Sequence, residues 1–194
     1  MENFWFYTKL GLEHVLDLAA YDHILFLMAL VIPFSLRMWK KILTLVTVFT
    51  ITHCVSLALS VYKVVEIDVA WIEFLIPVTI LLTAIFNLCD SLKEGSALSF
   101  QLQAVATGFF GLIHGFGFSN YFKMLMAGED EKLNPLLGFA AGIEISQIVV
   151  ITAVLAVAAI LEMGLKLPRK YFVNGTTSIV ILITIPMIID TWPG

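Results

Sequence analysis

The chain has 194 residues, of which 60% are hydrophobic and 13% charged, and a mean hydropathy of +0.96. That is far more apolar side chain than one soluble core of this length can hide, so a soluble globular protein is excluded and a helical membrane protein is expected. A net charge of −4 without any basic cluster argues against a nucleic-acid partner.

Hydropathy and breaker residues predict an all-α, polytopic bundle of about six spans, near 22–37, 42–62, 71–90, 100–119, 136–161 and 174–191, forming one domain over 1–194. The N-terminal segment lacks a basic leader before an uninterrupted apolar run, so no cleaved signal is expected there. Ahead of the first span, "LEHVLDLAAYDHILFL" concentrates Glu13, His14, Asp17, Asp22 and His23. On one continuous helix His14 and His23 would face opposite ways, since nine residues turn the chain by about 180°. A break at "AAYD" would let both address one site, with a short interfacial helix on the outer surface and Asp22 as N-cap of the first span. Asp22 is then either a cap or a ligand. His14 is either a solvated interfacial histidine or a ligand, and Asp17 a surface residue.

On the second span Thr47, Thr50, His53, Ser56 and Ser60 share one helical face. The third carries a Thr79, Thr83 and Asn87 stripe, read either as threonines bonded within their own helix or as a route inward, and Glu73 near its outer end, read as a ligand or an interfacial acid. On the fourth span Gln103, Thr107 and His114 share a face. Gly115 and Gly117 add backbone freedom after His114 and can bend or end that helix. The fifth, "GFAAGIEISQ", sets Glu144 and Gln147 on one face beside Gly138 and Gly142, a glycine pair that admits a close helix neighbour. Cys54 and Cys89 lie inside spans with no metal spacing. Trp5, Trp39, Trp71 and Trp192 sit at predicted helix ends, as interfacial anchors do.

Seven of the eleven basic residues, Arg37, Lys40, Lys41, Lys93, Lys166, Arg169 and Lys170, follow spans one, three and five. The positive-inside rule therefore places both termini outside, and the expected location is the cytoplasmic (inner) membrane. With that orientation, His53 and His114 lie about 17 to 21 Å from the inner ends of their helices, and Glu144 about 12 Å below the outer end of its own. The three share a level in the outer half. Ionisable groups cost about 2.5–3.5 kcal/mol at mid-span unless partnered, so a site of His23, His53, His114 and Glu144, with Asp22 and His14 as further candidates, is the expected reason for them. Gln147, Glu73, Ser56 and Thr107 are candidates for orienting ligands or lining a path. Imidazoles with carboxylates suit a divalent transition ion such as nickel, cobalt, zinc or iron, and not magnesium or calcium.

The segments "GLEHVLDLAAYDHILFLMAL", "TITHCVSLALS", "GLIHGFGFS" and "GIEISQ" resemble the HupE/UreJ family of small polytopic membrane proteins, in its second, less studied branch, over about residues 10–160. The resemblance implies a nickel or cobalt permease of the kind associated with hydrogenase and urease assembly. Its metal-handling motifs, a first-helix His followed by Asp-His and a later His-Gly, fall on His14, Asp22 and His23, and on His114 with Gly115. The better-studied branch has five residues between the first His and Asp-His where this chain has seven. It also has a second His and a Glu where this chain has Phe118 and Tyr121. Two functions compete: a metal permease, and an intramembrane zinc enzyme in which Glu144 acts as general base on a metal-bound water that attacks a lipid or peptide bond. A structural subunit whose polar groups only join helices is the third.

Overall fold

The computed structural model describes residues 2–92, 99–129 and 131–194. Lys93, one of the basic residues used for orientation, and Asp130 lie outside the described residues. Seven α-helices account for most of the chain, and no strand occurs among the described residues. They are α1 (Glu2–Leu16), α2 (Asp22–Val31), α3 (Trp39–Val61), α4 (Val69–Leu92), α5 (Phe100–Leu125), α6 (Leu133–Met163) and α7 (Arg169–Asp190).

Four segments are long and apolar enough to cross a membrane: Leu36–Val61, Val69–Ser91, Leu133–Met163 and Arg169–Asp190. Helix α5, at 26 residues, is comparable in length. Gln101, Gln103, His114 and Asn120 dilute its apolar run, and it falls outside that set.

The first expected span is where pattern and structure part. Helix α2 stops at Val31, because Pro33 cannot donate a backbone hydrogen bond and disfavours helix in the residue before it. Ten residues reach about 15 Å, half the hydrocarbon thickness. Helix α1, expected to lie on the outer surface, instead packs lengthwise against the first half of α6. A Cβ added at Gly138 would sit 2.5 Å from the Phe4 carbonyl oxygen, and one at Gly142 2.1 Å from that of Thr8. A Cβ at Gly11 would in turn sit 2.3 Å from the Phe139 oxygen. The order of these pairs makes α1 and α6 run in the same direction, and Tyr7 and Val15 are buried between them and their neighbours. The glycine pair of α6 thus admits α1, the close neighbour that its spacing predicted without naming it.

Helices α1 and α2 together accompany α6 from end to end. Asn3 Nδ2 donates to Glu129 Oε2 at 2.8 Å near the start of α6. At the far end Arg169 pairs with Glu162 and donates to the carbonyls of Ile32 and Phe34, just past α2. Replacing Arg169 with Ala should destabilise the fold by about 1–3 kcal/mol, since it strands the Glu162 carboxylate and two carbonyls. Thermal unfolding in detergent checks this, and an unchanged midpoint would refute it.

The remaining helices pair off. Helices α3 and α5 run in the same direction and approach closely where Gly111 meets Phe49 and Gly115 meets His53. Helices α4 and α7 are antiparallel: Phe74 packs edge-on to Trp192 at one end, and Ser91 Oγ donates to Asn174 Oδ1 at 2.6 Å at the other.

Candidate metal centre

Four helices each deliver one histidine to the interior. His14 stands in the last turn of α1, which ends two residues later; the Asp17 carboxylate then accepts the Ala19 N–H at 2.8 Å, a local turn that competes with helix. Helix α2 restarts at Asp22. The break predicted at "AAYD" is therefore present, and it turns His14 and His23 toward each other with ring centroids 4.5 Å apart. His53 of α3 lies 5.7 Å from the His14 ring and 5.6 Å from the His23 ring. His114 of α5 lies 5.3 Å from His23. Ligand atoms of His14, His23 and His53 all fall within 4.8 Å of one another, the one such group of three or more metal-binding side chains among the described residues.

Hydrogen bonding orients two of these rings. Asp22 is the first residue of α2 and not its N-cap: Tyr21 holds the cap position, with no side-chain capping bond. The Asp22 carboxylate is instead 3.2 Å from His23 Nδ1. His114 Nδ1 is 2.8 Å from the carbonyl oxygen of Phe110. Carbonyl and carboxylate only accept, so in each neutral ring Nδ1 carries the proton and Nε2 is left as a free lone pair. This is the arrangement in which an outer partner fixes the tautomer of a metal-binding imidazole.

The free nitrogens have no protein partner. Among the described residues, seven buried side-chain nitrogen or oxygen atoms lack a hydrogen bond, and five are imidazole nitrogens: Nε2 of His14, His23 and His114, and both nitrogens of His53. His53 is 0% exposed. An unmet buried polar group costs about 1–3 kcal/mol, so five at one place call for a ligand.

Aromatic rings wall the cluster. Phe49 and Phe26 lie 5.3 and 5.2 Å from the His114 ring. Phe118 stands 4.0 Å from that of His14, and Phe139 is 5.6 Å from it. On one side the wall opens. A cavity of about 660 Å³ is lined by His14, Glu13, Asp17, Phe118 and Tyr121 among others, and it reaches the cluster at His14. His14 is thus no solvated surface histidine, because its Nε2 is buried.

Glu144 is placed apart from the imidazoles. Its carboxylate accepts the hydroxyls of Thr47 and Thr50, each at 2.6 Å, and Gln147 bonds Thr50 at 2.9 Å. Thr50 precedes His53 by one turn and Thr47 by nearly two, about 4.5 and 9 Å along α3. Ser56 donates to the His53 carbonyl at 2.7 Å and so touches the backbone of His53, not its ring. Thr107 is buried in the wall of a separate, mostly apolar cavity of about 170 Å³, which Thr83, Asn87 and Gln103 also line. Glu73 is exposed and stands outside the histidine group.

The family model described as HupE / UreJ protein matches residues 1–192, essentially the whole chain. The chain belongs to the HupE/UreJ family. Comparison with curated proteins and with solved structures finds no match. In this HupE/UreJ protein the His-Gly pair is a packing device. Helix α5 continues through Gly115 and Gly117 to Leu125, where the two glycines could have ended it. A Cβ at Gly115 would lie 2.3 Å from the His53 carbonyl oxygen and 2.0 Å from Ser56 Oγ, so only glycine lets α5 come near enough to set His114 in the cluster. Phe118 and Tyr121 line the cavity at the mouth.

Sequence reasoning missed the Phe110 carbonyl as the partner of His114, though it lies one helical turn away. It also missed Thr47 and Thr50 as the groups that hold Glu144. Both threonines were on the expected polar face of α3, and an acid on a facing helix was the available signal.

Proposed function

We propose that this HupE/UreJ protein is a permease for a divalent transition metal of the nickel or cobalt type, with the four-histidine cluster as its first binding station. The observation that carries the reading is the convergence of five unpartnered imidazole nitrogens within an aromatic wall that opens on one side. Neutral imidazoles held by a carboxylate and a carbonyl suit borderline ions of the nickel, cobalt, zinc and iron group. The cavity at Glu13, His14 and Asp17, beside the C-terminal end of α1, supplies an approach to the cluster.

In this reading α1 and α2 form one discontinuous pass through the lipid bilayer, and α3 to α7 form five more, in a single domain of the cytoplasmic membrane with both termini outside. The helix directions support it: α1 parallel to α6, α3 parallel to α5, and α4 antiparallel to α7 are what six alternating passes require. Broken helices at transport sites expose irregular backbone only where protein surrounds it. Arg37 and Arg169 line one cavity together, in keeping with a basic inner face.

The zinc-enzyme reading is the weaker. It needs a general base beside the metal-bound water, and Glu144 is held by two threonines a turn or more along α3 from His53. Reconstituted in liposomes, the protein should take up nickel or cobalt above the rate of protein-free vesicles, and His23→Ala should abolish that uptake. Metal-dependent hydrolysis without uptake would instead establish the enzyme.

A further inference from the structure

The seam between α3 and α6 holds a polar group that the histidine cluster does not use. Glu144 is half-buried, and the ion pairs among the described residues, Lys9 with Glu13, His23 with Asp22 and Arg169 with Glu162, leave it without a cationic partner. A carboxylate at that depth costs about 2.5–3.5 kcal/mol unless something compensates it.

Proton counting narrows what that is. Thr47 Oγ1 donates to Glu144 Oε1 at 2.6 Å. Thr50 Oγ1 is 2.6 Å from Glu144 Oε2 and 2.9 Å from the Gln147 side-chain oxygen. A hydroxyl has one proton, and the bond to the carboxylate is the stronger. Gln147 Nε2 is the amide atom without a partner; turned by 180°, the amide donates its NH2 to Thr50 and sets its carbonyl oxygen in that place. Gln147 is 0% exposed, and one end of its amide is unpartnered. The result is a carboxylate, an amide oxygen and two hydroxyls within one turn of α6 and one turn of α3, with an unmet acceptor among them.

We propose that Glu144, Gln147, Thr47 and Thr50 form a second, oxygen-lined station for a divalent cation, between the histidine cluster and the inner face. The proposal rests on the permease reading and adds the step after the first site. Oxygen donors hold borderline transition ions less tightly than imidazoles do. A weaker station a turn or two back toward the start of α3 takes an ion from the cluster and still lets it leave. The alternative way inward, along α4, is poorly supplied. Thr79 and Thr83 spend their hydroxyls on the carbonyls of Ile76 and Thr79, at 2.7 and 2.9 Å, and Asn87 donates to the Ala29 carbonyl at 2.5 Å. Phe26 and Phe49 border His114 on one face, and Phe110, edge-on to Phe26 at 6.1 Å, lines the cavity that Thr83, Asn87 and Thr107 also line.

The test compares cobalt uptake and cobalt binding by the full chain carrying Glu144→Gln, which keeps the shape and removes the charge, or Thr50→Val, which removes only the hydroxyl. Uptake should fall by about tenfold or more in Glu144→Gln and less in Thr50→Val, while tight cobalt binding stays within about twofold of wild type. In a background with His14, His23, His53 and His114 all replaced by Ala, weak cobalt binding measured by equilibrium dialysis should persist and should vanish when Glu144→Gln is added. Weak binding that survives Glu144→Gln overturns the station. Loss of tight binding in Glu144→Gln overturns it too, by assigning Glu144 to the first site. Should wild type fail to transport cobalt, the permease reading falls and the dialysis comparison alone decides the station. Thr50→Val in the same background serves if Glu144→Gln does not fold.

Discussion

His53→Ala and His114→Ala are each expected to abolish stoichiometric binding of nickel or cobalt by the purified protein, read by elemental mass spectrometry after reconstitution with the metal. His53 has no hydrogen bond to lose through either ring nitrogen, so its removal takes away a ligand without stranding a protein group. His53→Ala should therefore keep the helical content and close to the unfolding temperature of the metal-free wild type, whereas His114→Ala also loses the hydrogen bond to the Phe110 carbonyl and should unfold at a somewhat lower temperature. Asp22→Asn is a graded control. It retains the side-chain volume and weakens the acceptor at His23 Nδ1, so affinity should drop by about 10–100-fold, the usual cost of losing an outer partner of a metal-binding histidine. Full metal content in folded His53→Ala and His114→Ala would remove the histidine cluster as a metal site. The same two residues would then be polar contacts between helices, the structural-subunit reading.

The second large effect is expected at a position that touches no metal. Gly142→Ala would put a methyl group 2.1 Å from the Thr8 oxygen, 2.8 Å from the Leu12 nitrogen and 3.0 Å from the Gly11 Cα. All three are backbone atoms of α1 and none can swing aside, so the helix itself must move. Overpacking of this kind costs about 1–3 kcal/mol, and the shift of α1 carries His14 away from His23 and His53. Gly142→Ala should consequently lower both the unfolding temperature and the metal affinity. Gly175→Ala on α7 provides the reference, since nothing lies within 4 Å of a Cβ built there. There the substitution should be neutral or stabilise by about 0.5–1 kcal/mol through backbone entropy alone. An equally benign Gly142→Ala would mean that α1 is not seated on α6.

Much of the site was legible because each clue was local. Helical periodicity put Thr47, Thr50 and His53 on one face of α3 and Glu144 and Gln147 on one face of α6. The nine residues from His14 to His23 demanded a break, and the structure has one between Leu16 and Asp22. Depth counting was coarser. It set Glu144 level with His53 and His114, whereas the carboxylate bonds to residues one and two turns from His53. A rise of 1.5 Å per residue locates a group only as well as the helix ends are known.

The sequence by itself determined the class of the molecule and the inventory of its chemistry: apolar segments that require a bilayer, two histidines and an acid, His53, His114 and Glu144, too costly to leave in hydrocarbon without purpose, and glycines spaced for close helix contact. Those follow from composition and from the fixed geometry of one helix. The tertiary structure decided which helices became neighbours. That α1 runs beside α6 and not over the surface, that Gly115 closes α5 onto His53, that Asp22 orients His23 instead of capping α2, and that Glu144 answers to threonines are all consequences of contacts between helices. Periodicity fixes the direction a side chain faces on its own helix, and a partner on another helix depends on packing that no single helix encodes.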